Sequence, residues 1–247
     1  MTGQFLPDGV FRAPVVFGPD KLDRFGRVDV SALLWQMQEI AGAHYTALGA
    51  GSAAAAAHNS FWALIRTDLE ILSAIPAGKE LRLDTWPGRR SHGLYRRQYR
   101  LLDENGSLLA RGTSIWVLMD ITKRALSEDQ SWIADPGTIT QPEDFRGLQR
   151  RVMPELKDYA ARTVLPAETD VNGHLNNTVY LHWAEEVLPE DFRRGHVLRA
   201  LLVEYKKELP LGQAAELHYA LEGDTLYLRG TAEGRDSFIM RCEYDSV

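Results

Sequence analysis

The chain has 247 residues, 45% hydrophobic and 25% charged, with a net charge of −6; this supports one large or two small cored domains and lacks the basic field of a nucleic-acid binder. The single cysteine, Cys242, excludes an intramolecular disulfide and a cysteine metal site. The first residues show no secretory leader pattern and no stretch approaches the roughly 18 apolar residues of a membrane span, so the expectation is a cytoplasmic protein acting on neither membrane nor nucleic acid.

In chain order, Leu33, Leu34, Met37, Ile40 and Ala41 recur at helical spacing and predict a long helix. Ala53–Ala57 is low in complexity and reads as a loop or a helical extension. Strands follow at Phe61–Ile75, Glu80–Trp86 and Tyr95–Asp103. Asp103-Glu104-Asn105-Gly106 is a hairpin signal, and Leu108–Met119 returns. Ser127–Arg151 contains Pro136-Gly137, Pro142 and several charges and reads as a crossing linker. The expected division is a first unit over 1–130, a linker over 131–153 and a second unit over 154–247.

The second unit repeats the plan. Tyr180, Leu181, Ala184 and Val187–Leu188 predict a helix that ends at Leu188-Pro189. Strands are expected at Ala200–Leu209, Glu216–Glu222, Thr225–Glu233 and Ser237–Tyr244, with turns at Gly223 and Gly234. Each half therefore reads as a long helix followed by an antiparallel meander. Two such units bury faces that one helix cannot cover, which gives an α+β class built by duplication.

The duplication is visible residue by residue. At an offset of 147, Pro19, Asp23, Gly26, Leu34 and Glu39 fall on Pro166, Asp170, Gly173, Leu181 and Glu186. The copies part where chemistry would sit: Phe25 stands opposite Asn172, and Arg27 opposite His174. Near the later Pro-x-Gly turns the offset becomes 134, and Ala74 stands opposite Glu208. In an extended segment Asp170, Asn172 and His174 would point to one side. The residues alone leave two readings open: a polar site, or a turn and helix cap made of the residue types that turns favour.

The run Thr169-Asp170-Val171-Asn172-Gly173-His174-Leu175-Asn176-Asn177, followed by Tyr180 and Trp183, resembles the active-site stretch of the acyl-ACP thioesterase family. Glu204-Tyr205-Lys206-Lys207-Glu208 resembles that family's second motif. In the first half, Leu34–His44, Thr85-Trp86-Pro87, Arg96-Arg97 and Ser114–Met119 are similar to its N-terminal helix and sheet. The resemblance covers about residues 10 to 245. It implies two tandem hotdog units, each a helix wrapped by an antiparallel sheet, and hydrolysis of fatty acyl-ACP during fatty acid biosynthesis. An acyl-CoA thioesterase and a non-catalytic acyl-binding hotdog protein are the rival readings.

Plant members of the family have a Cys directly after the second motif's Glu, where this chain has Leu209. A thiol mechanism therefore has no nucleophile here, and carboxylates must carry the work. The resemblance makes Asp170, Asn172, His174 and Glu208 the expected catalytic residues. Asp170 or Glu208 would act as base or nucleophile, His174 would exchange protons, and Asn172 with the following helix N-terminus would face the oxyanion. Trp35, Met37, Trp62 and Leu64 are candidates for lining the acyl pocket in the first unit, with plain core as the alternative for each.

The expected partner is acyl carrier protein bearing a fatty acyl chain, an acidic protein that basic pairs at Arg89-Arg90, Arg96-Arg97 and Lys206-Lys207 would meet. The duplicated plan leaves both a monomer and a homodimer of double-hotdog chains open. No cofactor is expected. His44, His58, His92, His182, His196 and His218 show no metal-ligand spacing, and no phosphate loop or G-x-S-x-G elbow appears.

Overall fold

A computed structural model describes residues 1–88, 90–133 and 145–247; Arg89 and part of the expected linker, 134–144, lie outside the described residues. The chain divides into two units by its contacts: Met1–Ile65 with Ile71–Arg146, and Arg66–Glu70 with Gly147–Val247.

The first unit contains β1 (Gln4–Phe5), β2 (Phe11–Val15), α1 (Val30–Ala47), α2 (Ser52–Ala57), β3 (Ser60–Ile71) apart from its stretch Arg66–Glu70, β4 (Leu81–Pro87), β5 (Leu94–Leu102) and β6 (Leu108–Asp120). Its strands lie in the order β1-β2-β4-β5-β6-β3. Asp29 caps α1 by accepting from Ser31 N at 2.8 Å. The predicted apolar stripe of α1 is buried, together with His44, and the helix lies against β2 and β4. The alanine run forms α2, as the high helix propensity of alanine favours.

On β4, Asp84 is fully buried. It stands in register between Arg12 of β2 and Arg100 of β5, which donate to it at 2.6 and 2.8 Å. A buried carboxylate is tolerated only with partners of this kind. β3 ends at Ile71, short of the predicted Ile75, because Leu72 N and Ser73 N converge on the single carbonyl of Leu109 and the regular ladder stops.

The second unit contains β7 (Asp158–Thr163), α3 (Val179–Glu186), α4 (Glu190–Gly195), β8 (His196–Tyr205), β9 (Ala214–Glu222), β10 (Thr225–Ala232) and β11 (Arg235–Ser246). Its strand order is β8-β11-β10-β9-β7. Arg66–Glu70 of β3 pairs antiparallel with β8, which is why that stretch belongs to this unit.

Two differences from the sequence reading bear on the site. The second helix is not long: α1 has 18 residues and α3 only 8. Pro189 cannot continue it, and the chain restarts as α4. β8 ends at Tyr205 rather than Leu209. Lys206 N and Lys207 N both donate to Ser237 O, which ends the pairing and releases Glu208–Leu211 to turn elsewhere. Among the described residues no helix is long and apolar enough to cross a membrane.

Gly230 on β10 has a packing reason: a Cβ there would lie 2.0 Å from the Phe238 ring. Phe238 meets Tyr180 of α3 edge-on, with centroids 4.7 Å apart. The glycine thus lets an aromatic bridge join the sheet to the short helix.

Candidate active site

The Asp170 segment is a tight loop rather than an extended run, so its three polar side chains do not simply share one side. Its base is closed by an antiparallel bridge between Thr169 and Leu175. Asp170 N donates to His174 O at 2.8 Å, and Gly173 N to Asp170 O at 3.0 Å. Gly173 has φ +75°, a conformation that L side chains avoid. Asp170 Oδ1 accepts from the backbone N–H groups of Asn172 and His174, at 2.8 and 3.2 Å. Its Oδ2 accepts from the Asn172 side-chain amide at 3.2 Å. Just before α3, Asn176 Oδ1 accepts from Thr178 N and Thr178 Oγ1.

The first unit carries the same loop at the 147-residue offset. Leu22 bridges Val28, Asp23 N donates to Arg27 O, and Gly26 at φ +78° donates to Asp23 O. Asp23 Oδ1 again accepts two backbone N–H groups, from Phe25 and Arg27. The aspartate shared by both copies therefore buckles its own loop in each.

The copies separate at the second oxygen. Asp23 Oδ2 accepts from Arg27 Nε at 2.9 Å, and the Arg27 guanidinium also covers the Phe25 ring, 4.7 Å from its centroid. In the second copy the imidazole of His174 stands in place of that guanidinium, and its Nδ1 lies 3.6 Å from Glu208 Oε2. His174 is 29% and Glu208 42% exposed at the side chain, so both meet solvent.

The released segment after β8 makes this approach. Leu175 N donates to Leu209 O at 2.8 Å and Leu211 N to Gly173 O at 3.0 Å, with a bridge between His174 and Pro210. Glu208 is thereby held beside the loop although it lies outside the strand the sequence assigned it to. Beneath them Tyr180 is buried, and burial, then the negative charges of Glu208 and Asp170, push its phenol pKa up. Tyr205 Oη donates to Asn177 O at 2.9 Å and ties β8 to the start of α3.

A second contact was not legible as a contact in the motif. The buried indole of Trp183 donates to Glu168 Oε1 at 3.0 Å. Both residues differ from their counterparts, Gln36 and Lys21, which is the signal that could have marked them.

The acyl-lining candidates do not form one set. Met37 and Leu64 are buried in the first unit. Trp62 packs between Tyr45 and Tyr95 and donates to Ala50 O at 3.0 Å. Trp35, in contrast, is 46% exposed, on the side of α1 away from its buried stripe.

The basic pairs also divide. Arg90, Lys206 and Lys207 are exposed, but Arg97 is 1% exposed and is not a surface residue. It donates to His44 Nδ1 at 2.8 Å and lies 4.3 Å over the Tyr45 ring. Arg89 lies outside the described residues.

Cys242 is buried in β11, and burial raises its thiol pKa; Leu209 is likewise buried. Among the described residues no group of three or more His, Cys, Asp or Glu side chains could hold a metal ion.

Comparison with known proteins bears on the chain as a whole. Residues 13–132 match the acyl-ACP thioesterase N-terminal domain, and residues 154–244 the acyl-ACP thioesterase C-terminal domain. The chain is 26% identical over 160 residues to oleoyl-acyl carrier protein thioesterase 1, chloroplastic, of Arabidopsis thaliana, a match covering 60% of this chain and 44% of that protein. It is 28% identical to the palmitoyl-acyl carrier protein thioesterase, chloroplastic, of the same plant, over 61% of this chain and 39% of that protein. These matches thus span less than half the length of those relatives.

The fold is similar to that of an acyl-ACP thioesterase from Bacteroides thetaiotaomicron, with TM-score 0.85 and 18% identity over 96% of this chain and 98% of that one. It is also similar to that of the 12:0-ACP thioesterase from Umbellularia californica, with TM-score 0.82 and 20% identity over 96% and 98%. The expected class of two tandem hotdog units is the observed one. With both domain models matched in order along most of its length, the chain belongs to the acyl-ACP thioesterase family.

Proposed function

We propose that this chain hydrolyses the thioester of fatty acyl-ACP, releasing free fatty acid and holo-ACP in fatty acid biosynthesis. The observation that carries the reading is the divergence of one duplicated loop. Where Arg27 closes the first copy, the second presents His174 within 3.6 Å of Glu208.

In this scheme a water lies between His174 and the thioester. The His174–Glu208 pair takes one proton from it as the water oxygen attacks the carbonyl carbon. The tetrahedral oxyanion is met by the Asn172 side-chain amide, which Asp170 Oδ2 orients through one of its two N–H groups. As the C–S bond breaks, the proton passes from His174 to the departing sulfur, which leaves as the thiol of the carrier's arm. Asp170 acts by holding the loop and aiming Asn172, and Glu208 is the carboxylate that works with the imidazole.

The acyl chain is assigned to the first unit, against Met37, Trp62 and Leu64. Arg90, Arg96 and Lys206 are the basic groups offered to the acidic carrier. The test is release of free fatty acid from acyl-ACP, with acyl-CoA in parallel. Release from acyl-ACP, with KM rising at high salt, supports the reading. Binding without release supports an acyl-binding protein instead, and preference for acyl-CoA supports the other thioesterase class.

A further inference from the structure

We propose that Glu168 is a positioning residue that holds the Asp170–His174 loop against α3 and so keeps His174 within reach of Glu208. The inference rests on the reading above, in which those two side chains act on the thioester.

Trp183 is 1% exposed, and its indole N–H is a donor that needs an acceptor once buried. Glu168 supplies it through Oε1 at 3.0 Å. The other oxygen of the same carboxylate accepts from Leu165 N at 2.8 Å, and the Glu168 carbonyl accepts from Asn176 N at 2.9 Å. Leu165 precedes the loop and Asn176 follows it. One residue therefore ties both feet of the loop to the interior of α3.

The sister copy shows which part of this is special. There the backbone half persists, since Asp29 N donates to Lys21 O at 2.9 Å. The side-chain half is absent by composition, because Lys21 and Gln36 replace Glu168 and Trp183. That copy closes its loop from within, by the Arg27–Asp23 pair. In the second copy the Arg-type ion pair is absent, an imidazole stands in its place, and the Asn172–Asp170 bond that remains is joined by the Glu168–Trp183 clamp from outside. On the opposite side the Leu175–Leu209 and Gly173–Leu211 backbone bonds fix the loop to the segment that bears Glu208. The 3.6 Å separation of His174 and Glu208 is set by both anchors.

Three variants test this on the full chain with acyl-ACP as substrate. Glu168→Ala removes both acceptors; Glu168→Gln keeps one for the indole; Trp183→Phe keeps the ring and deletes the donor. Folding of each is checked by near-ultraviolet circular dichroism and thermal unfolding.

The expected result for Glu168→Ala is about a tenfold lower kcat with KM within about twofold, because misplacing a catalytic group by 1 Å costs up to about 100-fold. Trp183→Phe falls in the same direction, and Glu168→Gln regains most of the rate. Amide exchange at Asn172–Leu175 quickens in Glu168→Ala while that of β10 does not change. A folded Glu168→Ala with wild-type kcat, beside an inactive His174→Ala, overturns the positioning role and leaves the site reading standing. A His174→Ala enzyme with wild-type kcat overturns the site reading, and the positioning role falls with it. Should Glu168→Ala not fold, Trp183→Phe decides by the same two readouts.

Discussion

The loops built on Asp23 and Asp170 have the same backbone bridge, the same buckle and a glycine in the same left-handed conformation. They differ in what the second carboxylate oxygen holds: a guanidinium from Arg27 in one, the amide of Asn172 in the other. In the first copy the guanidinium folds back onto its own loop, whereas the second turns an imidazole toward Glu208. The comparison teaches that duplication kept the scaffold of the turn in both places, while the copies differ in the side chains the turn carries and in the outside contact of Glu168 with Trp183.

The largest expected effect bears on the two carboxylates at the second loop, Asp170 within it and Glu208 beside it. Glu208→Gln is expected to lower kcat by about 10²-fold or more, the usual contribution of an acid–base group. Asp170→Asn keeps a side-chain oxygen for the two backbone donors, as Asn does in such turns, and should cost only about tenfold. Steady-state rates with acyl-ACP check the order. If Asp170→Asn falls as far as Glu208→Gln, Asp170 takes part in proton transfer and the buckle account is too narrow.

A second contrast sets His44, buried in the first unit, against the partly exposed His174. His44 is buried in the first unit beside Arg97, and burial, then the Arg97 charge, lowers its pKa to about 3. In the unfolded chain it returns to about 6.5. Between these values the unfolded state binds the additional proton, so this contribution to stability is full above about pH 6.5 and declines as pH falls toward 3. Denaturant midpoints measured from pH 7 to pH 4 should fall more steeply for the wild type than for His44→Gln. Equal slopes would refute the buried neutral histidine.

The smallest effect tests the shared scaffold. Gly26→Ala and Gly173→Ala each place a Cβ in the left-handed region, at a cost of about 1–2 kcal/mol. Neither Cβ would meet another atom within 4 Å, so the two losses should be similar. Thermal unfolding of both variants measures this, and a large inequality would show that the loops are not energetic equivalents.

Much of this architecture was legible in the chain because its signals are local. The apolar stripe of α1, the Asp103–Gly106 hairpin and the Pro189 stop each act through residues adjacent in sequence or one helical turn apart. The 147-residue repeat was legible because the turn demands an aspartate acceptor and a glycine three residues later, and both copies keep them. What the sequence hid depends on long-range contacts. The burial of Arg97 requires His44 and Tyr45 on α1. The early end of β8 requires the carbonyl of Ser237 on β11. The extended reading of Asp170–His174 failed for a local reason, because the Asp170 carboxylate turns back onto its own backbone.

The most direct test of the central claim truncates the two residues that stand opposite each other in the loops. Free fatty acid release from acyl-ACP is measured for His174→Ala and for Arg27→Ala, which occupy the same place in the two loops. The account predicts a loss of about 10²-fold or more in kcat for His174→Ala, with Arg27→Ala, once folded, within about twofold of the wild type because its loop is only structural. Wild-type turnover by the His174→Ala enzyme, or an equal collapse of both, would contradict it.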